Sequence, residues 1–317
     1  MTLLDRYALV LYLCVTVALA FADHRVRRDI HREHVVTEYI PSVIAGTSGA
    51  PAKYRVLMPF VLDRLSRWTG ANAYTVFLVS EIVFIFASLA VIHAYLRFWY
   101  SPASSIGGTF AAAALLPLTF TNSWAHPDTF PDLVLFTAGC LAVAARRDWI
   151  VAIILGIGML NRETIGFVAL LWLVLRWGEW RNRTNVLPAL TGFGVCVVVY
   201  VTLRWVRGFE HYEMWMPARN LSYLKILPPG FDPYTRVAGL FWVVLLAFPA
   251  YLAFKSARTP ECPQFFKAAF LVAAVFVLVA WLFAAIIETR VFTPVMPLLL
   301  PGALAAFTPP SVHRRRA

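Results

Sequence analysis

The 317-residue chain is apolar and basic: 60% of its residues are hydrophobic, 14% are charged and the formal net charge is +11. A mean hydropathy of +0.68 excludes a disordered chain, a disulfide-stapled secreted scaffold and a soluble nucleic-acid binder, because too much apolar surface would face water. The composition predicts a polytopic membrane protein, in which basic residues mark the loops that stay in the cytoplasm.

Apolar runs along the chain predict an all-α transmembrane helical bundle with about ten spanning segments, and residues 1–317 form one integral membrane domain. The segments are Tyr7–Ala22, Ala73–Leu96, Ile106–Phe120, Asp132–Ala145, Trp149–Leu160, Ile165–Trp177, Val186–Val206, Val237–Phe254, Ala268–Ile287 and Val291–Phe307. The first segment has an alternative interpretation as a cleaved signal peptide, since residues 20–22 have the small-x-small form of a cleavage site.

The distribution of Lys and Arg orients the bundle. With the N-terminus inside, thirteen of the 28 basic residues fall in cytoplasmic pieces and only Arg162 and Arg290 fall in short outer loops. The other thirteen lie in or beside two long outer loops, residues 23–72 and 207–236, and long loops are exempt from the positive-inside rule. Both termini are therefore predicted in the cytoplasm of a bacterial inner membrane protein.

Several middle segments are too short to cross the membrane. Trp149–Leu160 would cover only about 18 Å of a hydrocarbon core that is about 30 Å thick. The turns between such helices should lie below the membrane surface, where irregular backbone survives only if it is buried in protein or lines a wet cavity. We expect a recess that opens on the outer face, where most carboxylates and imidazoles of the loops collect.

Residues 53–68 in the first outer loop have the spacing of an amphipathic helix. Apolar residues stand at positions 54, 57, 58, 61, 65 and 68, and Arg55, Asp63, Arg64 and Arg67 occupy the other face. Such a helix lies at headgroup level. Its arginines either contact lipid phosphates generically or form a platform for a lipid-linked substrate.

Two polar turns stand between middle helices. Asn161 is a candidate N-cap of the helix that follows it, with Glu163 placed favourably against the helix dipole. Capping alone explains these residues; alternatively, Arg162 holds a lipid phosphate at a recessed helix start while Glu163 orients it or contacts sugar hydroxyls. In the other turn, His126 and Asp128 are either turn residues or metal ligands, and Asp132 is a candidate helix cap.

Two further charged positions have alternative interpretations. Glu288 and Arg290 open the last hairpin, where they form an interfacial charge pair, contact the first outer loop or contact the substrate. Glu81 lies inside the second spanning segment, where an ionisable residue is either functional or bonded to a neighbouring helix.

The long outer loop with its acidic residues and juxtamembrane helix resembles the GT-C superfamily of integral-membrane glycosyltransferases. The stretch from Tyr54 to Pro59 (YRVLMP), the stretch from Asn161 to Thr164 (NRET), and Glu288-Thr289-Arg290 before Pro294 and Pro297 are similar to an uncharacterised bacterial branch of it. The resemblance implies transfer of a sugar from a polyprenyl-phosphate donor to an envelope glycan or lipid acceptor on the outer face.

Such a reaction needs a carboxylate base and groups that stabilise the leaving phosphate. For the base we favour Glu38, shortly before the interfacial helix, with Asp29 second. The predicted substrate-binding residues are Arg55, His126, Asp128, Asp132, Asn161, Arg162, Glu163, Glu288 and Arg290. A divalent metal is left open as a cofactor, because the adjacent acidic pair of many GT-C loops is absent.

Two other functions compete with the transferase. A transporter or lipid flippase for lipid-linked envelope precursors would bind cargo in the same recess and use Glu81 in proton coupling. A non-catalytic scaffold in envelope assembly would depend on apolar surface instead. The sequence contains no P-loop, CxxC, HExxH or GxSxG motif, which argues against nucleotide-sugar or ATP chemistry.

Overall fold

A computed structural model of the chain describes residues 2–119, 126–177, 183–210, 216–224, 246–284 and 288–311. Within these ranges every regular element is a helix, which confirms the predicted all-α class. The described part of the predicted loop 207–236 is limited to residues 207–210 and 216–224, and the rest lies outside the described residues.

The α-helices are numbered here in chain order over the described residues. They are α1 (Leu3–His34), α2 (Ile40–Ala45), α3 (Leu57–Thr69), α4 (Ala73–Arg97), α5 (Pro102–Leu115), α6 (Thr129–Ala144), α7 (Asp148–Asn161), α8 (Gly166–Trp177), α9 (Arg183–Arg207), α10 (Pro217–Leu224), α11 (Phe248–Ala257), α12 (Gln264–Phe283) and α13 (Val295–Ala305). A π-helical turn covers Val35–Tyr39, and 3₁₀ turns cover Ala52–Tyr54, Leu116–Thr119, Glu163–Ile165 and Thr289–Phe292.

Four of these helices are long and apolar enough to cross a membrane. The candidate spans are Leu3–Arg25, Ala73–Arg97, Val186–Arg207 and Gln264–Phe283. They are consistent with the predicted membrane protein. The middle helices α6, α7 and α8 have only 16, 14 and 12 residues, as their short apolar runs predict.

The start of the first outer loop is helical, contrary to the expectation from sequence. Helix α1 continues for 32 residues to His34, and the π-helical turn and α2 extend the helical path to Ala45. Hydropathy detects only the apolar part of this path, whereas residues 23–39 contain no Gly or Pro that would stop a helix. The helix ends at Gly46, whose φ of 75° is left-handed and suits a residue without Cβ.

The predicted interfacial helix forms as α3 after the 3₁₀ turn at Ala52–Tyr54. Met58 and Leu62 are buried on its inner face and pack with Val35, Ile40 and Phe77 in one apolar cluster. Trp68, near its end, is 83% exposed. The predicted helix is therefore present from Leu57 onward, but Val61 and Trp68 of its predicted apolar face are exposed, by 38% and 83%.

The chain divides into two compact units. Unit 1 comprises Met1–Val26, Leu89–Trp124 and Glu213–Ala317, and unit 2 comprises Arg27–Ser88 and Ala125–Tyr212. In unit 1, α13 packs against α5, α11 and α12. In unit 2, α7 and α8 both pack against α6 and α9. Close approach at α9 depends on Gly192, where a Cβ would overlap the buried ring of Trp172.

Unit 1 contains a buried polar network at the start of α1. The hydroxyl of Tyr12 lies 2.8 Å from Nδ1 of His93, and Nε2 of His93 lies 3.2 Å from Oδ1 of Asp5. Arg97 donates to the same carboxylate oxygen over 3.0 Å. These bonds join α1 to α4 and satisfy polar groups that would otherwise be costly to bury.

Candidate substrate site

The site in unit 2 is built where α6 begins and where α7 ends. Helix α6 starts at Thr129, directly after the turn at Pro127 and Asp128. Pro131 falls in the first turn of the helix, where its missing N–H costs no hydrogen bond. Asp132 was expected to cap this helix, but it lies inside the first turn, and no side chain caps the start.

The second half of the site is the break between α7 and α8. Helix α7 ends at Asn161, Arg162 adopts an extended conformation, and a 3₁₀ turn follows at Glu163–Ile165. Asn161 is therefore the last residue of one helix, and the prediction that it caps the next helix is wrong. The turn is tight because Gly158 lies against Ile165, where a Cβ would come within 2.6 Å of a side-chain carbon.

Hydrogen bonds connect the two halves. The amide nitrogen of Asn161 donates to the main-chain oxygen of Asp128 over 3.1 Å. The hydroxyl of Thr164 lies 2.9 and 2.8 Å from the two carboxylate oxygens of Asp132. The start of α6 and the α7–α8 turn are thus fixed to each other, and their side chains form one cluster.

Two arginines lie among three carboxylates in this cluster. Oδ2 of Asp128 is 3.4 Å from Nη1 of Arg55 and 3.7 Å from Nε of Arg162. Nη1 of Arg162 is 3.7 Å from Asp132, and Nε of Arg55 is 3.5 Å from Glu163. Each guanidinium therefore bridges two acids. The formal charge of these five groups is −1.

The inner part of the cluster is buried but incompletely hydrogen-bonded. Arg162 is 3% exposed, and Asn161 is fully buried. Within the described residues, Nε and Nη1 of Arg162, Oδ1 of Asn161 and the hydroxyl of Thr129 have no hydrogen-bond partner. Buried polar atoms are normally satisfied, so donors and an acceptor placed together in this way suit a polar ligand or ordered water.

The cluster is more accessible on the side of Arg55, His126 and Glu163, whose side chains are 13%, 18% and 29% exposed. Nδ1 of His126 is 3.7 Å from Oδ1 of Asp128. The ring of Tyr39 packs edge-on against His126, with 5.0 Å between the ring centroids. These three partly exposed side chains therefore form the outer edge of the cluster.

Seven of the nine predicted substrate-binding residues belong to this cluster: Arg55, His126, Asp128, Asp132, Asn161, Arg162 and Glu163. The other two, Glu288 and Arg290, lie in unit 1, where Nη2 of Arg290 is 2.9 Å from Glu288. They form the charge pair that the sequence analysis gave as one of three interpretations.

The two predicted bases are placed differently. Glu38 lies on the π-helical turn, is 70% exposed and pairs with His34 over 3.1 Å. The side chain of Asp29 lies outside the described residues. Neither position is tested by the geometry, and both remain predictions.

The structure adds no third ligand to the two candidate metal ligands, His126 and Asp128, within the described residues. Across the described ranges, no group of three His, Cys, Asp or Glu side chains is placed to hold a metal ion. His126 and Asp128 instead belong to the arginine–carboxylate cluster.

Sequence reasoning missed three members of the site. Thr164 lies within the NRET stretch but had no assigned role, although it holds Asp132. Tyr39 follows Glu38 and had no assigned role, although its ring contacts His126. Thr129 had no sequence signal beyond its place in the turn.

Comparisons of the chain with protein-family models, with curated proteins and with solved structures gave no match.

Proposed function

We propose that the chain is a GT-C-type glycosyltransferase that moves a sugar from a polyprenyl-phosphate donor to an envelope acceptor. It acts at the outer face of a bacterial inner membrane, with about ten helical segments crossing or entering the bilayer and both termini in the cytoplasm. The observation that carries the proposal is the buried arginine–carboxylate cluster of unit 2, with its unsatisfied hydrogen-bonding atoms.

The chemistry of the cluster suits sugar hydroxyls. A hydroxyl both donates and accepts, so it can accept from Nε or Nη1 of Arg162 and donate to Oδ1 of Asn161. A phosphate only accepts, and it would add negative charge to groups whose formal sum is already −1. Arg162 therefore binds the neutral sugar in this proposal, and not the lipid phosphate that was one of the two interpretations of the sequence.

Asp128 is the base that the geometry favours. Of the described carboxylates it is the one that contacts both arginines and the partly exposed His126. Its carboxylate takes the proton of the acceptor hydroxyl while the hydroxyl oxygen attacks the anomeric carbon. The bond between that carbon and the phosphate oxygen breaks, and the lipid phosphate leaves with the electron pair. This single displacement inverts the anomeric carbon.

The test uses purified protein in liposomes, a panel of radiolabelled polyprenyl-phosphate hexoses and pentoses, and a crude envelope extract as acceptor. We expect Asp128→Asn to lower transfer at least about 100-fold, as loss of a general base does. Asp63→Asn is the matched control, because Asp63 forms a surface pair with Arg67 on α3, and such pairs contribute little. Thermal unfolding must show that both variants remain folded.

Two results would change the assignment. Full activity in Asp128→Asn with loss of activity in Glu38→Gln would identify Glu38 as the base.

Absence of transfer from every donor, with labelled lipid crossing the bilayer, would favour the flippase. One observation supports that second candidate: Glu81 is buried within the span Ala73–Arg97, where an ionisable group often serves transport. Glu81→Gln would then abolish lipid crossing.

A further inference from the structure

We infer that Lys53, Arg204 and Arg207, called here the outer basic cluster, bind a phosphate group that a membrane lipid carries. The inference rests on the proposed function only for the identity of that lipid, the polyprenyl-phosphate donor. It concerns residues of unit 2 to which the sequence analysis gave no specific role.

The cluster has an excess of positive charge. Nζ of Lys53 is 2.9 Å from Glu210. Neither Arg204 nor Arg207 forms an ion pair with a carboxylate of the described residues. The formal charge of Lys53, Arg204, Arg207 and Glu210 together is therefore +2. The arginine–carboxylate cluster has the opposite sign, with a formal sum of −1. Binding of an anion is therefore favoured at the outer basic cluster and disfavoured at the arginine–carboxylate cluster.

The cations are held by the turn that follows α9. The hydroxyl of Tyr54 donates to the main-chain oxygen of Gly208 over 2.9 Å and accepts from the main-chain nitrogen of Glu210 over 3.1 Å. The guanidinium of Arg204 lies over the rings of Tyr54 and Tyr200, 4.3 and 3.4 Å from their centroids. These contacts restrict Arg204 before any ligand binds.

Arg207 is held by the end of α2. Its Nη1 donates to the main-chain oxygen of Val43 over 2.8 Å, at the C-terminal end of α2. A cation there is also stabilised by the helix dipole. Arg204 is therefore the member of the cluster for which the structure shows neither a carboxylate nor a main-chain partner within the described residues.

The position along α9 places the cluster at the level of lipid headgroups. The candidate span Val186–Arg207 has 22 residues, which is about 33 Å at about 1.5 Å per residue and matches a hydrocarbon core about 30 Å thick. Arg204 and Arg207 occupy its last turn. Arginine forms forked hydrogen bonds with phosphate oxygens, and Tyr rings are favoured at the same depth.

The chain itself connects this cluster to the sugar site. Lys53 belongs to the outer basic cluster and Tyr54 contacts Arg204 of that cluster, whereas the next residue, Arg55, contacts Asp128 and Glu163. Consecutive Cα atoms are about 3.8 Å apart. The two clusters are therefore adjacent along the chain. A polyprenyl-phosphate sugar, whose phosphate is bonded directly to the anomeric carbon, carries in one molecule the phosphate that suits the positive cluster and the sugar that suits the negative one.

The test measures equilibrium binding of radiolabelled undecaprenyl phosphate, which carries no sugar, to the full chain in phosphatidylcholine nanodiscs. We expect Arg204→Gln to raise Kd about tenfold or more, because a charge-assisted hydrogen bond is lost. Arg67→Gln is the control, since Arg67 is a 70% exposed arginine of α3, and it should leave Kd unchanged. Asp128→Asn should also retain binding.

Competitors identify the source of the phosphate. Displacement by an equal concentration of phosphatidylglycerol supports a site for lipid phosphate and shows that this site does not select the polyprenyl-phosphate donor. Displacement by millimolar inorganic phosphate overturns the lipid assignment, as does equal binding by wild type and Arg204→Gln. If the lipid binds as expected but no sugar is ever transferred, the proposed function fails and this inference stands. If sugar is transferred while Arg204→Gln binds normally, only this inference fails.

Discussion

Replacement of Arg162 by Gln tests the most buried part of the site. The Arg162 guanidinium is 3% exposed and lies 3.7 Å from both Asp128 and Asp132. The substitution preserves most of the side-chain volume but removes the charge. Asp132 then loses the nearer of its cationic neighbours, whereas Asp128 keeps Arg55 at 3.4 Å. We expect the free energy of unfolding to fall, mainly through Asp132.

The magnitude follows from the two distances. At 3.7 Å and an effective dielectric constant of about 20, each attraction is worth about 4 kcal/mol before desolvation. Desolvation of the guanidinium offsets most of this sum, but removing one partner leaves a buried carboxylate uncompensated, which costs about 3–5 kcal/mol. Adding Asp132→Asn to Arg162→Gln removes that carboxylate charge and should restore about 1–2 kcal/mol.

Thermal unfolding in detergent, followed with a thiol-reactive dye, measures both variants. Cys140 and Cys196 are buried and free, so their reaction reports opening of the helix core, while the exposed Cys14 reacts at once and sets the baseline. An Arg162→Gln midpoint equal to that of wild type would refute the reasoning. A double variant less stable than the single variant would refute the charge argument in particular.

Two further predictions concern packing and pH. Gly192→Ala should destabilise the chain by about 1–3 kcal/mol, because the new Cβ overlaps Trp172. Gly194→Ala is the control and should leave stability unchanged, because a Cβ there meets nothing within 4 Å. Equal unfolding midpoints for the two variants would contradict the packing argument. The hydrogen bond from Lys53 lowers the pKa of Glu210, so this pair stabilises the fold above the unfolded pKa of Glu210 and is lost as pH falls through the folded pKa. NMR titration should show a higher Glu210 pKa in Lys53→Gln; an unchanged pKa would contradict the assignment.

The loop patterns identified most of the candidate site but not its internal contacts. Polar residues in turns between apolar helices drew attention to Asp128, Asp132 and Asn161–Glu163, because polar groups at that depth need a partner. The helix-capping roles predicted for Asp132 and Asn161 are wrong, because capping patterns consider only neighbours along the chain. Asn161 in fact bonds to Asp128, 33 residues away.

The first outer loop shows a second limit. Hydropathy falls after Ala22, so the sequence predicts an outer loop over residues 23–72 with one helix in its second half, whereas the structure continues the first helical path to Ala45. A polar helix stabilised by packing at Val35 and Ile40 leaves no signal in a membrane-hydropathy scan. Glu38 consequently lies on a helical surface, paired with His34, and not on a flexible loop.

By itself, the sequence determined the all-α class, the apolar helices and the presence of helix α3, because each depends on local composition and periodicity. Tertiary structure alone decided which charges meet. It placed Arg55 beside Asp128 and its neighbours Lys53 and Tyr54 beside Glu210 and Arg204, contacts that span 73 to 157 positions of the chain. Electrostatic interactions depend on distance in space, and distance in space between residues so far apart in sequence is set by helix packing.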